Sequence, residues 1–214
     1  MADLFEHPVE RLPLSAEATR RVRALRQKID AEDAVYVEAA ERLLAPVRAR
    51  FHRHPKRNFR PEMLAALEKS WHALPSTYRL ACHVELSRDS LTITDIAISA
   101  AKLECAQWDG REYSFLIAST NLIVRRGPFH ADCVVTCVVS LHAAARRLQC
   151  GIGIRSDDDL LDDIALLAQH DVTEMIPEGQ AFAANTAGGS WHGCCIRLPD
   201  GGRRALSVRT WLPG

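Results

Sequence analysis

Apolar residues recur at helical spacing through the first stretch of the chain. Val22, Leu25, Ile29, Tyr36, Leu43 and Val47 share a roughly heptad-like face, with Ala39 and Ala40 between them. Arg20, Arg21, Arg23, Arg26, Lys28, Glu38 and Arg42 fall on the opposite face, so the segment reads as an amphipathic helical arm. Ser15 supplies an N-cap, Glu17 an acid for the positive helix end, and Pro46 is expected to kink or end the helix. A second helix is expected from Pro61, burying Met63, Leu67, Trp71 and Leu74 before Pro75 stops it.

The period then changes to two. Tyr78, Leu80, Cys82, Val84 and Leu86 alternate with Arg79, Ala81, His83 and Glu85, the clearest strand of the chain. After a turn at 87–90, Leu91 and Ile93 start a second strand whose parity flips around Asp95 to Ile96 and Ile98, which predicts a bulge or the end of one pairing. Leu103 to Trp108 and Tyr113 to Ala118 flank Asp109-Gly110 as a tight hairpin, extended by Leu122 to Val124. Residues 131–149 read as a buried helix on their length and the Ala143 to Ala145 run, although Val134, Val135, Val138 and Val139 favour strand by propensity. A helix follows from Asp157 through Leu160, Leu161, Ile164 and Leu167, and a hairpin from Trp191 to Leu198 and Arg204 to Trp211 closes the chain. The expected fold is α+β: an antiparallel β-sheet packed with central and C-terminal helices, preceded by an N-terminal helical arm. The arm and second helix take residues 1–75, and the core domain takes 76–214.

Composition narrows the function classes. Lys+Arg and Asp+Glu both total 27, so no global field attracts nucleic acid or an anionic membrane. No apolar run reaches the roughly 20 residues of a membrane span, and the first residues lack a signal-peptide pattern, so a cytoplasmic protein is expected. Seven cysteines, an odd number, argue for reduced thiols rather than a disulfide framework.

Candidate chemistry gathers in two His/Cys clusters, His130-Ala131-Asp132-Cys133 running on to Cys137, and Trp191-His192-Gly193-Cys194-Cys195. A helix beginning near Ala131 places Cys133 in its first turn, where unpaired N–H groups favour a thiolate, while His192 starts a strand. A helix-start cysteine and a strand histidine are the pairing of papain-like thiol hydrolases. Asp132-Cys133 and His192 to Leu198 locally resemble the Asp-Cys pair and the histidine strand of NlpC-type cysteine peptidases. That resemblance implies Cys133 as nucleophile and His192 as base of a hydrolase or acyl transferase. The chain departs from the pattern in Val134-Val135, where small residues are expected, and in offering only Ser207 and Thr210 as a third residue.

No motif calls for a cofactor; the alternative is zinc held by His130, Cys133, His192 and Cys194 or Cys195, the two neighbours pointing to opposite faces of a strand. A non-enzymatic alternative rests on the acid-free segment 48–60. There Arg48, Arg50, Arg53, Lys56, Arg57 and Arg60 are interleaved with Phe51 and Phe59 and suit an anionic partner, nucleic acid or an acidic protein. His83, Glu85 and Asp95 are expected to share a sheet face that could line a cleft, and His142 falls in the buried helix. The stripe of the arm has two candidate partners, its own domain or a second copy in a homo-oligomer.

Overall fold

A computed structural model describes residues 13–53, 61–74, 78–87, 90–101, 111–125, 130–151, 153–169, 176–198 and 203–214. The helices are α1 (Ala16–Arg53), α2 (Pro61–His72), α3 (Leu141–Cys150) and α4 (Asp157–Ala165), the last continued by a 3-10 turn at Leu166–Gln169. The strands are β1 (Arg79–Leu86), β2 (Ser90–Ala100), β3 (Tyr113–Arg125), β4 (His130–Ser140), β5 (Ala181–Thr186), β6 (Gly189–Arg197) and β7 (Arg204–Pro213). They form one mostly antiparallel seven-stranded sheet in the order β1-β2-β3-β4-β7-β6-β5, and the fold is α+β. The β4–β7 pair is parallel. No helix among the described residues is long and apolar enough to cross a membrane.

The chain packs as two compact units, one of residues 1–28, 100–117 and 135–214, the other of 29–99 and 118–134. In the second unit the arm meets its partner. Ala40, Leu44, Leu67, Trp71, Leu91, Ile93 and Val124 form a buried cluster, with Tyr36, Leu43 and Val47 packed against it. This half of the stripe is therefore satisfied within its own unit, and removing its side chains from water is the main driving force for docking the helix. The helix runs through Pro46 without ending. Pro46 and its neighbours Glu41, Arg42 and Ala45 are exposed, so water can take up the carbonyl that the missing N–H leaves unbonded.

A buried carboxylate sits in that core. Asp95 follows Leu91 and Ile93 on the inner face of β2, opposite Cys82 of β1. Its Oδ2 accepts hydrogen bonds from the Tyr36 hydroxyl and from Trp71 Nε1 (3.3 Å). Arg79 Nε lies 2.9 Å from Oδ1, near enough for an ion pair though not aligned as a hydrogen bond. The same guanidinium donates to the Trp71 carbonyl at 2.7 Å and lies over the Tyr36 ring, 5.2 Å from its centroid. Burial, then the neighbouring carboxylate, pushes the Tyr36 phenol well above its ordinary value, so it stays a donor. One side chain thus ties α1, α2, β1 and β2 together. The expected irregularity is present: β1 slips by one residue between Arg79 and Ala81.

In the first unit, β6 and β7 form the expected hairpin, with Arg197 opposite Arg204; its turn at 199–202 lies outside the described residues. So do the Leu103 to Trp108 strand and its Asp109-Gly110 turn. The helix expected over 131–149 is corrected. Residues His130–Ser140 are strand β4 and only Leu141–Cys150 is helical. The β-branched run prevails where β4 pairs with β7, and Ser140 then caps α3 by accepting from the Ala143 N–H at 3.1 Å. Gly151 closes α3 at φ +67°, a conformation that costs other residues strain. A second buried guanidinium joins α3 to its surroundings: Arg147 Nε bonds Asp163 of α4 at 2.7 Å, Nη2 bonds the Ala187 carbonyl at 3.1 Å, and the group stacks 4.4 Å from the Trp211 ring centroid.

Removing one partner of a buried ion pair leaves the other charge uncompensated. Asp95→Ala is expected to lower unfolding free energy in urea by about 3–5 kcal/mol, and Tyr36→Phe by about 1.5–3 kcal/mol, as for a hydrogen bond to a charged group. A loss below about 1 kcal/mol for Asp95→Ala would show that the carboxylate does not hold these elements.

Candidate functional site

β6 carries the chemistry that stays partly open to solvent. Ser190 and His192 are two residues apart on this strand, so both project from one face. Ser190 Oγ and His192 Nε2 are 2.7 Å apart, and both side chains are half-buried. When Nδ1 carries the imidazole proton, Nε2 accepts the serine O–H, the arrangement in which histidine serves as a base. Register sets the neighbours. Ser190 stands opposite Asn185 on β5 and Leu212 on β7, and His192 opposite Ala183 and Thr210. Directly opposed residues share a face. Ala183 and Asn185 are exposed and Leu212 is half-buried, whereas the Thr210 hydroxyl is enclosed without a hydrogen-bond partner among the described residues.

The local backbone explains this placement. The β6–β7 register shifts between His192 and Gly193, leaving Arg209 as the extra residue on β7. Gly193 is required there because a Cβ would run into the Ser207 carbonyl and the Phe182 ring. Behind the pair, Trp191 and Trp211 are opposite each other and fully buried, which fixes β6 and β7 side by side. Trp211 also donates to Thr186 Oγ1 at 3.3 Å. Elsewhere in the unit, Tyr113 and Ser207 share a buried hydrogen bond of 2.6 Å.

The sequence-predicted residues distribute as follows. Cys133 lies on β4, exposed, with its sulfur 3.8 Å from Thr120 Oγ1. Because α3 begins only at Leu141, the expectation that Cys133 occupies a helix start is corrected, and the helix-terminus argument for its thiolate goes with it. Cys133 belongs to the second unit and His192 to the first. Cys137 is buried, and desolvation holds its thiol far above the ordinary value. Cys194 and Cys195 are buried on β6 and alternate as expected, opposite Ser207 and Leu206. Cys82, Cys133, Cys137, Cys150, Cys194 and Cys195 are all free thiols. Among the described residues no three His, Cys, Asp or Glu side chains gather as a metal-holding group.

Asp95 does not share a face with His83 and Glu85, which are exposed and lie opposite Thr94 and Thr92; it points into the core instead. The basic segment is only partly described. Arg48 is half-buried on α1, Arg50 and Arg53 are in its last turns with their side chains outside the described part, and Lys56, Arg57 and Arg60 lie outside the described residues. The arginines nearer the start of α1 are engaged within the first unit: Arg21 with Asp157 at 2.5 Å, and Arg23 and Arg26 with Glu112 at 3.1 and 3.8 Å. Exposed pairs of this kind add little stability.

No protein-family model matches the chain, and neither the curated proteins nor the solved structures contain a match to it. The local likeness to cysteine peptidases thus has no family match behind it.

His142 and Asp163 are among the groups that give the first unit a pH dependence. His142 on α3 is half-buried, and desolvation, then Arg146 and Arg111, hold its imidazole below the usual 6.5. A lowered histidine contributes stability above its unfolded value and loses it as pH falls toward the folded one. Asp163 is shifted up by burial, partly offset by Arg147, which has the opposite slope and acts only in the acid range. Stability should therefore fall as pH drops from neutral through the histidine range, and His142→Gln should flatten that decline in urea titrations at each pH. An unchanged slope in His142→Gln would remove His142 as its source.

Proposed function

We propose that the chain is a hydrolase or acyl transferase acting on ester-type acyl donors, with Ser190 as nucleophile and His192 as general base. The observation that carries this reading is the 2.7 Å contact between Ser190 Oγ and His192 Nε2 on a half-open face of β6. Histidine is the side chain suited to taking and returning a proton near neutral pH. Ser190 Oγ attacks the acyl carbon while its proton passes to Nε2. The tetrahedral adduct then expels the leaving group, which takes that proton. Water attacks the resulting ester on Ser190 by the same route, giving its proton to Nε2 and releasing the acid and the serine. His192 keeps the role expected of it, and the nucleophile moves from Cys133 to the hydroxyl two residues away. A cytoplasmic setting, in which these thiols stay reduced, belongs to the same proposal.

A fluorophosphonate probe followed by peptide mass mapping tests it on the full chain. One adduct is expected at Ser190, lost in Ser190→Ala and formed about 100-fold more slowly in His192→Gln. Cys133→Ser should react as the unaltered chain does. Absence of an adduct, or turnover of a p-nitrophenyl ester that depends on Cys133 and not on Ser190, would overturn the reading.

A further inference from the structure

The register of β5 against β6 places a third polar side chain at this pair. Asn185 stands directly opposite Ser190, and it is exposed. Directly opposed side chains in an antiparallel pair have Cβ atoms about 4.5–5.5 Å apart and project to the same side. The Asn185 amide is therefore within one side-chain length of any group bonded to Ser190 Oγ. Ala183, opposite His192, is too small to block the approach from β5.

We propose that Asn185 is the side-chain donor that stabilises the oxyanion formed when Ser190 is acylated, which rests on the Ser190–His192 reading above. The chemistry requires such a donor. Attack by Ser190 Oγ turns a carbonyl oxygen into an alkoxide, and His192 is then occupied with the serine proton and cannot also serve it. An amide N–H is neutral, cannot titrate, and donates without competing for that proton. Asn185 lies across the strand pair from Ser190, whereas His192 lies along the strand, so the two groups reach the reacting carbon from different sides. β5 sits at the end of the strand order, and its residues Ala181, Ala183 and Asn185 are exposed, so this side of the pair faces solvent.

Rates of fluorophosphonate labelling and p-nitrophenyl ester turnover for Asn185→Ala and Asn185→Asp in the full chain test the assignment. Both variants should slow labelling and lower kcat by about tenfold or more, with KM little changed. Asn185→Asp should be the slower, because a carboxylate repels the developing oxyanion although it matches asparagine in shape. A merely structural role predicts the reverse order, with the near-isosteric Asp variant closer to the unaltered chain, and that order would overturn the proposal. Unaltered rates in both variants, with labelling still lost in Ser190→Ala, would overturn the role of Asn185 and leave the Ser190–His192 pair standing. No labelling of Ser190 in the unaltered chain would overturn both.

Discussion

A guanidinium taken out of water needs hydrogen bonds and a counter-charge inside the protein, and Arg79 in one unit and Arg147 in the other are each placed in this way. Arg79 meets Asp95, the Trp71 carbonyl and the Tyr36 ring; Arg147 meets Asp163, the Ala187 carbonyl and the Trp211 ring. The recipe is the same in both: a carboxylate, a backbone carbonyl and an aromatic face. Each set draws on residues distant in the sequence, such as Tyr36 with Asp95 and Arg147 with Trp211. A shift of register or a slip of a helix would leave a charge buried without its partner, which costs far more than loss of an apolar contact. Such pairs penalise wrong arrangements as well as supporting the right one.

This constraint also sorts the reactive side chains. Asp95 and Asp163 are the buried acids that a search for catalytic carboxylates would select, yet both are engaged with arginine inside the packing. Tyr113 and Ser207 are tied to each other, and Cys137, Cys194 and Cys195 are enclosed. What stays half-open on β6 is the serine and histidine of one strand face, set beside a bulge and backed by two buried tryptophans. The pairing of rigid support with a partly solvated polar group is what a reacting site needs, since precise placement comes from the packing behind it.

Much of the fold was legible because its signals are local. The stripe of α1, the start of α2 at Pro61, the alternation of β1, the bulge near Asp95 and the closing hairpin all appear as expected. The failures have identifiable causes. Residues 131–149 carry both β-branched and alanine runs, and an apolar stretch of that kind does not reveal by periodicity where a buried strand ends and a helix begins. Ser140, the cap that divides them, becomes informative only once β4 is placed. β5 is built largely of small residues and offers no alternation to read. Asp95 keeps the inward parity of Leu91 and Ile93 and so faces the core, away from His83 and Glu85; the register slip lies just beyond it, where Arg79 and Ala81 meet Ala97 and Ile96. For the site, His192 was singled out but its partner was not. A strand begun at Trp191 excludes Ser190, whereas β6 starts at Gly189 and brings Ser190 onto the histidine's face. The segment Ser190-Trp191-His192 held that signal, given a boundary two residues earlier.

The most direct test of the organising role of these pairs is a double-mutant cycle on Arg147 and Asp163, read by urea unfolding at neutral pH. Asp163→Leu alone should cost about 3–5 kcal/mol by stranding the guanidinium, and Arg147→Met a similar amount by stranding the carboxylate. The double variant should recover a large part of the loss, because it buries neither charge, and the coupling between the sites should exceed about 1.5 kcal/mol. Additive losses in the double variant would contradict the account, showing that the two charges do not depend on each other and that the packing around them is what sets the fold.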